Sequence, residues 1–285
     1  METASAATTE SSPQVPVTHT RLNGPIRQLN LMRKSLLFAE LSGIAYSDEE
    51  AVRRAVEPIG LHYTVEFFDR DGAQAYRLEN DTDCVIACRG TEPNEMNDVK
   101  ADIDAAMVAV GTLGRVHRGF NRETDDLWPQ IEQSLRSNST KAVWFTGHSL
   151  GGAIATVCAG RCFLSDIPSM PAALFTYGSP RVGNRRFINY CNIEHYRWVH
   201  NNDIVPRLPP MWFGFRHSGK EMYLNRNGEL QQLTAVQKAV DRLRGFSRSL
   251  LRWKIDHLSD HLMDGYIAGI LQTIERFERG TEMED

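Results

Sequence analysis

Apolar residues at Leu31, Leu36, Leu37, Leu41 and Ile44 recur with helical spacing, which predicts a helix on the domain surface. The pattern then changes period. LHYTVEFF, AQAYRLE and DCVIACRG alternate or run apolar, rich in β-branched and aromatic residues, and are separated by the turn sequences DRDG and NDTD. They are predicted as three strands. Further on, helix and strand take turns: 121–137 helical, AVWFT strand, 151–163 helical, AALFTY strand, 184–192 helical, YRWVH strand. Short apolar strands at regular helical intervals predict an α/β fold, with a mostly parallel central sheet buried under helices on both faces. No period of about 20 to 50 residues recurs, so there is no internal repeat. Near the end, residues 233–255 predict an amphipathic helix interrupted near Gly245, with six basic residues and one acidic, and DHLMDGYIAGILQTIERF predicts a last helix.

Composition narrows this picture. The chain has 285 residues, 41% hydrophobic and 24% charged, the usual balance of a globule with a real core. Residues 1–28, rich in Ser, Thr, Ala and Pro, are expected to be a flexible tail, leaving 29–285 as a single domain with a basic helical insertion at 233–255. The net charge of −4 gives no general pull toward nucleic acid or an anionic membrane. No stretch approaches the ~18 apolar residues of a transmembrane segment. The first residues, opening with Glu2, have neither the basic nor the apolar region of a secretory signal. Cys84, Cys88, Cys158, Cys162 and Cys191 are odd in number and sit mostly in apolar segments, which predicts reduced, buried thiols and a cytoplasmic protein. A four-thiolate metal site from the first four is disfavoured, because their spacing on regular elements suits packing better.

The chemistry concentrates at Ser149. Gly147-His148-Ser149-Leu150-Gly151 matches G-x-S-x-G with a strand before it and a helix after it, the context of a nucleophile elbow. Glycines on either side let strand and helix approach closely around a serine in strained backbone. A serine hydroxyl needs a base, and the base needs a carboxylate to orient it. In the elbow order of Ser, Asp/Glu, His, Asp203 fits best: it follows the strand YRWVH in the proline-rich loop NNDIVPRLPP. Asp166 and Asp241 are expected to be surface charges. Of the later histidines, His217 is expected to be structural, while His257 and His261 lie four apart and spacing does not separate them. His148 is expected to point away from the serine. Acyl transfer also needs donors for the oxyanion, worth about 2.7–4 kcal/mol each. The Leu150 N–H is one candidate, and Thr91, at the strand end Arg89-Gly90-Thr91, is the other.

These stretches together resemble the class 3, fungal-type triacylglycerol lipase family of the α/β-hydrolase fold. The resemblance rests on Arg89-Gly90-Thr91, His117-Arg118-Gly119-Phe120, Gly147 to Ala153, Tyr177 to Asn184, Asn201 to Pro210 and the final motif H-x-M-x-x-Y. His261, Met263 and Tyr266 fit that last motif and His257 does not, so the resemblance selects His261. It implies a serine carboxylester hydrolase acting on lipid esters, with Ser149 as nucleophile, His261 as base and then acid, Asp203 as its orienter, Thr91 and Leu150 at the oxyanion, and no metal or cofactor. Phospholipase A1, feruloyl esterase and polyester hydrolase activities share this machinery. A non-catalytic lipase-like interaction module is the rival from another class.

Departures from the family pattern matter too. Val99 stands in the segment Asp98 to Ile103 where the family usually carries tryptophan, and neither the secretion signature nor the disulfides of many fungal relatives is present. Two expectations concern lipid surfaces. Residues 92–110 could act as a lid over an acyl groove, and the basic stretch 233–255 could make peripheral lipid contact, against the simpler reading of a solvated surface helix.

Overall fold

The computed structural model describes residues 17–60, 64–90, 106–137, 140–231 and 260–281. Helix α1 (Leu31–Ile44) forms where the apolar spacing places it, but it is not the surface helix expected: nine of its 14 residues are buried, because the helix packs into the core against the sheet. Asn30 caps it by accepting from the Arg33 N–H. Asp48 then starts a separate helix α2 (Glu49–Val56), accepting from the Ala51 N–H at 2.8 Å. Strands β1 (Thr64–Arg70), β2 (Ala73–Glu79) and β3 (Asp83–Cys88) follow in antiparallel order. The β1–β2 turn is two residues, Asp71 and Gly72, both at positive φ, as a hairpin of this length requires.

After these come a hairpin of β4 (Met107–Val110) and β5 (Gly114–His117), helix α3 (Arg118–Arg136), strand β6 (Ala142–His148) and helix α4 (Leu150–Arg161). The chain continues through β7 (Pro171–Tyr177), α5 (Arg185–Tyr190), β8 (His195–His200), β9 (Lys220–Leu224), β10 (Leu230–Gln231) and α6 (Met263–Thr281). Among the described residues, eight strands form one sheet in the order β1-β2-β3-β6-β7-β8-β9-β10. The pairings from β3 through β6, β7 and β8 to β9 are parallel, and the outer ones are antiparallel. All five parallel strands therefore end at one edge.

Burial on both faces explains why the central strands read as apolar runs. Trp144, Phe175 and Tyr177 pack with Leu37, Phe38, Leu41 and Tyr266 on one face, while Val143, Phe145 and Leu174 pack with Leu127, Ile131 and Ile154 on the other. Cys84, Cys88, Cys158 and Cys162 lie in the second cluster as free, buried thiols, and Cys191 is free and buried nearby.

Other expectations change. Residues 17–28 do not form a free tail: Thr18, Thr20 and Leu22 are buried, and the buried Glu40 carboxylate accepts from the His19 and Thr20 N–H groups. The Ile26 N–H further donates to Asp83 at 3.1 Å, so this segment is sewn to α1 and β3. Residues 107–110, grouped with a lid by their apolar run, pair instead with 114–117. Strands β9 and β10 were not predicted, since five and two residues give periodicity too little length to register. Residues 1–16, most of the lid segment and the whole 233–255 insertion lie outside the described residues.

Candidate active site

Strand β6 ends at His148 and helix α4 begins at Leu150, so a single residue, Ser149, makes the reversal. It does so at φ 56° and ψ −128°. Positive φ in a non-glycine residue is strained and persists only where the surroundings hold it. Two glycines show how tight those surroundings are. A Cβ on Gly147 would lie 2.4 Å from the Gly151 carbonyl, and one on Gly151 would lie 2.2 Å from the Cys88 carbonyl oxygen. Helix α4 thus starts directly against the end of β3, and the Ser149 N–H donates to the Tyr177 carbonyl on β7 at 2.9 Å.

Asp203 and His261 meet at this edge. Asp203, fully buried in the loop after β8, lies with its Oδ2 2.8 Å from the His261 Nδ1. The same Oδ2 accepts from the Tyr266 hydroxyl at 2.7 Å, and Oδ1 accepts from the Val205 N–H at 2.9 Å. With the carboxylate as acceptor, His261 donates from Nδ1 and keeps Nε2 as an acceptor. That nitrogen is buried and makes no hydrogen bond among the described residues. Burial and the neighbouring Asp203 push the Tyr266 hydroxyl well above its ordinary range, so it serves as a neutral donor.

Two links bring this pair to the elbow. Gly178, next to the Tyr177 that holds Ser149, has φ 58°, and a Cβ there would lie 2.8 Å from Asp203 Oδ2 and 2.9 Å from the His261 ring. His148 supplies the second link. Its Nε2 lies 2.6 Å from the His261 carbonyl and its Nδ1 lies 2.8 Å from the Tyr46 hydroxyl. A carbonyl only accepts, so Nε2 carries the proton and Nδ1 accepts from Tyr46. Burial, reinforced by the nearby His261, drives the His148 pKa well below its ordinary value and keeps the ring neutral. The ring of His148, expected to point away from the serine, sits 4.5 Å, centroid to centroid, from that of His261.

The residue before His261 is anchored as well. The Asp260 carboxylate accepts from the Asn201 side chain at 3.0 Å, and the Asp260 carbonyl lies 3.0 Å from His200 Nδ1.

Leu150 is the first residue of α4, where its N–H has no intrahelical acceptor and lies at the positive end of the helix, next to the serine. Thr91 lies outside the described residues. Its neighbour Gly90 is packed against the elbow, where a Cβ would come within 2.6 Å of the His148 carbonyl oxygen. Asp166 is exposed beyond the end of α4. His217 Nε2 pairs with the Pro206 carbonyl at 2.7 Å and takes no part in the site. Asp241 and His257 lie outside the described residues. Sequence reading missed Tyr46, Gly178, Asp260 and the role of Tyr266. Of these, Gly178 and Tyr266 sit inside the motifs that carry the family resemblance, and Tyr46 and Asp260 carry no local signal.

A strained serine, a buried histidine with one acceptor nitrogen and a carboxylate behind it form the arrangement that nucleophilic acyl transfer needs.

Comparison with known proteins gives an independent view. Residues 85–213 match the family model described as lipase (class 3). The secreted mono- and diacylglycerol lipase 1 of Fusarium solani is 42% identical over 117 residues, 39% of this chain and 34% of that protein. Toxin TseL of Vibrio cholerae is 32% identical over 198 residues, 54% of this chain and 31% of the toxin. The chain thus spans about a third of the length of the curated relatives it matches. Among solved structures, lipase II from Rhizopus niveus superposes with a TM-score of 0.58 at 28% identity, over 68% of this chain and 80% of that one. The fold is that of the α/β-hydrolases. No helix of the described residues is long and apolar enough to cross a membrane. The cytoplasmic expectation gains no support from these relatives, since the Fusarium solani protein is secreted by name.

Proposed function

We propose that this chain, whose residues 85–213 match the lipase (class 3) family model, is a serine carboxylester hydrolase acting on lipid esters, acylglycerols first among them. The Ser149 hydroxyl attacks the ester carbonyl while His261 Nε2 takes its proton. The Leu150 N–H and Thr91 hold the oxyanion. As the tetrahedral intermediate collapses, the imidazolium returns that proton to the departing alcohol and leaves an acyl group on Ser149. Water, deprotonated by the same nitrogen, then releases the acid and regenerates the serine.

The observation that carries this reading is the buried Asp203–His261 pair, with an acceptor nitrogen left at Nε2, tied to the Ser149 elbow through His148 and Gly178. Acylglycerols come first because the Fusarium solani relative is named for mono- and diacylglycerols.

The test is hydrolysis of nitrophenyl esters from acetate to palmitate by the wild type beside Ser149→Ala. The expected result is turnover by the wild type that extends to the long chains, and a loss of about 10⁴-fold or more in the variant. A rate confined to short chains would assign an esterase with a shallow pocket. Comparable rates from both proteins would remove Ser149 from the chemistry.

A further inference from the structure

The stretch 204–220, which continues from Asp203 to β9, contains Pro206, Pro209 and Pro210, the basic residues Arg207, Arg216 and Lys220, and no carboxylate. Its middle is a one-turn 3-10 helix, Met211–Phe213, closed by Gly214 at φ 91°. Here three consecutive large apolar side chains face water. Met211 is 42% exposed, Trp212 79% and Phe213 54%. Such a run of exposed large apolar groups is rare on a soluble surface unless something covers it.

The turn is braced rather than loose. Phe213 N–H donates to the Pro210 carbonyl at 3.1 Å, Gly214 N–H to the Met211 carbonyl at 3.0 Å, and Arg216 Nη1 to the Met211 carbonyl at 2.8 Å. Its root is clamped by Arg181, whose N–H donates to the Leu208 carbonyl at 2.6 Å and whose Nη1 donates to the carbonyls of Pro209, at 2.9 Å, and Arg207. Arg181 follows β7, at the same edge of the sheet as Ser149, Asp203 and His261. Leu262, beside the base, adds another apolar side chain there, 39% exposed.

We propose that the Met211–Phe213 turn is the foothold by which this protein stands on a lipid layer, with Trp212 and Phe213 entering the boundary between headgroups and acyl chains. The inference rests on the reading of the neighbouring site as one for lipid esters. A planar amphiphilic layer fits the turn because aromatic side chains favour that boundary, and the flanking Arg207 and Arg216, with no acidic neighbour in the stretch, match its phosphates. Three residues projecting from a proline-braced root form a wedge, and a wedge needs a soft partner to enter. Its action differs from that expected of the basic stretch 233–255, which would bind through charge and weaken as salt rises.

The experiment uses the full chain carrying Ser149→Ala, so that vesicles are not consumed, and measures co-sedimentation with phosphatidylcholine vesicles together with tryptophan emission. Trp128, Trp144 and Trp198 are buried, which leaves Trp212 as the exposed indole among the described residues. Binding with a blue-shifted emission is expected, and adding Trp212→Ala and Phe213→Ala should weaken it about tenfold or more while salt changes it little. Thermal unfolding should not move, because both side chains are on the surface. Equal vesicle binding with and without the two aromatics would overturn the foothold, and so would failure of the parent to bind. Ester hydrolysis is read separately on wild type. Vesicle binding that depends on Trp212 in a protein without esterase activity would keep the foothold and discard the catalytic reading.

Discussion

His261, beside the elbow, and His117, at the end of β5, are both buried, and each has ring nitrogen without a hydrogen bond among the described residues. Around His261, Asp203 takes Nδ1 and leaves only Nε2 unpaired. Around His117 stand two aromatic rings, Phe120 at 4.2 Å and Phe215 at 5.8 Å between centroids, and both of its nitrogens are unpaired. Burial alone pushes the His117 pKa down to about 4. The contrast separates two effects that burial confounds. Removal from water makes a histidine neutral, but a neutral imidazole serves as a base only where something stabilises the cation it becomes. At the elbow Asp203 stands in that place, and at the β5 end neither His117 nitrogen has a hydrogen-bond partner among the described residues.

The largest effect should come from making the first site resemble the second. Asp203→Asn keeps the shape but offers His261 an amide, which can donate to Nδ1 and strand the proton on Nε2. In the proposed hydrolysis kcat should fall by about 10⁴-fold, measured on a water-soluble ester with the fold checked by thermal unfolding. A decrease of less than about tenfold would mean that His261 does not depend on this carboxylate. A smaller effect is expected from Tyr266→Phe, which removes one donor from Asp203 Oδ2 and leaves the aromatic ring in the core. A charge-assisted hydrogen bond contributes about 1.5–3 kcal/mol, so a loss of about tenfold or more in kcat with little change in KM is expected. A change in KM alone would place Tyr266 in substrate binding instead.

The residues proposed to react, Ser149, Asp203 and His261, stand out in the chain because each lies in a contiguous motif with a distinctive local geometry. A strand, a serine between glycines and a helix are enough to describe the elbow, and a proline-rich loop after an apolar strand describes the place of Asp203. The residues that hold them were not legible. Tyr46 and His148 are 102 positions apart, and His148 reaches the His261 carbonyl across 113. Nothing near Tyr46 in sequence distinguishes it from a surface tyrosine at a helix end. Spacing also failed to separate His257 from His261, since both precede the last helix, and only the wider motif selected one. The fold shows the same division. The long buried strands and helices follow from periodicity, whereas the β4–β5 hairpin and β9 are too short to announce themselves, and residues 17–28 look like a tail until Glu40 is seen to bind their backbone.

The smallest expected effect tests the other side of the comparison. If His117 is held neutral only by burial, then His117→Phe removes no hydrogen bond and places an apolar ring between Phe120 and Phe215. The sign follows from proton binding. A histidine titrates near 6.5 in the unfolded chain and at about 4 when folded here, so between those values the unfolded state binds more protons and stability falls as pH drops. The phenylalanine variant lacks this titration. His148, His195 and His217, also held neutral by burial, titrate alike in both proteins and cancel in the difference. The variant should therefore unfold at nearly the wild-type temperature around pH 8 and gain on the wild type progressively as pH falls toward about 5. A difference that stayed constant across that range would mean that His117 has a partner that keeps its proton affinity, and the contrast with His261 would then rest on position rather than on the missing carboxylate.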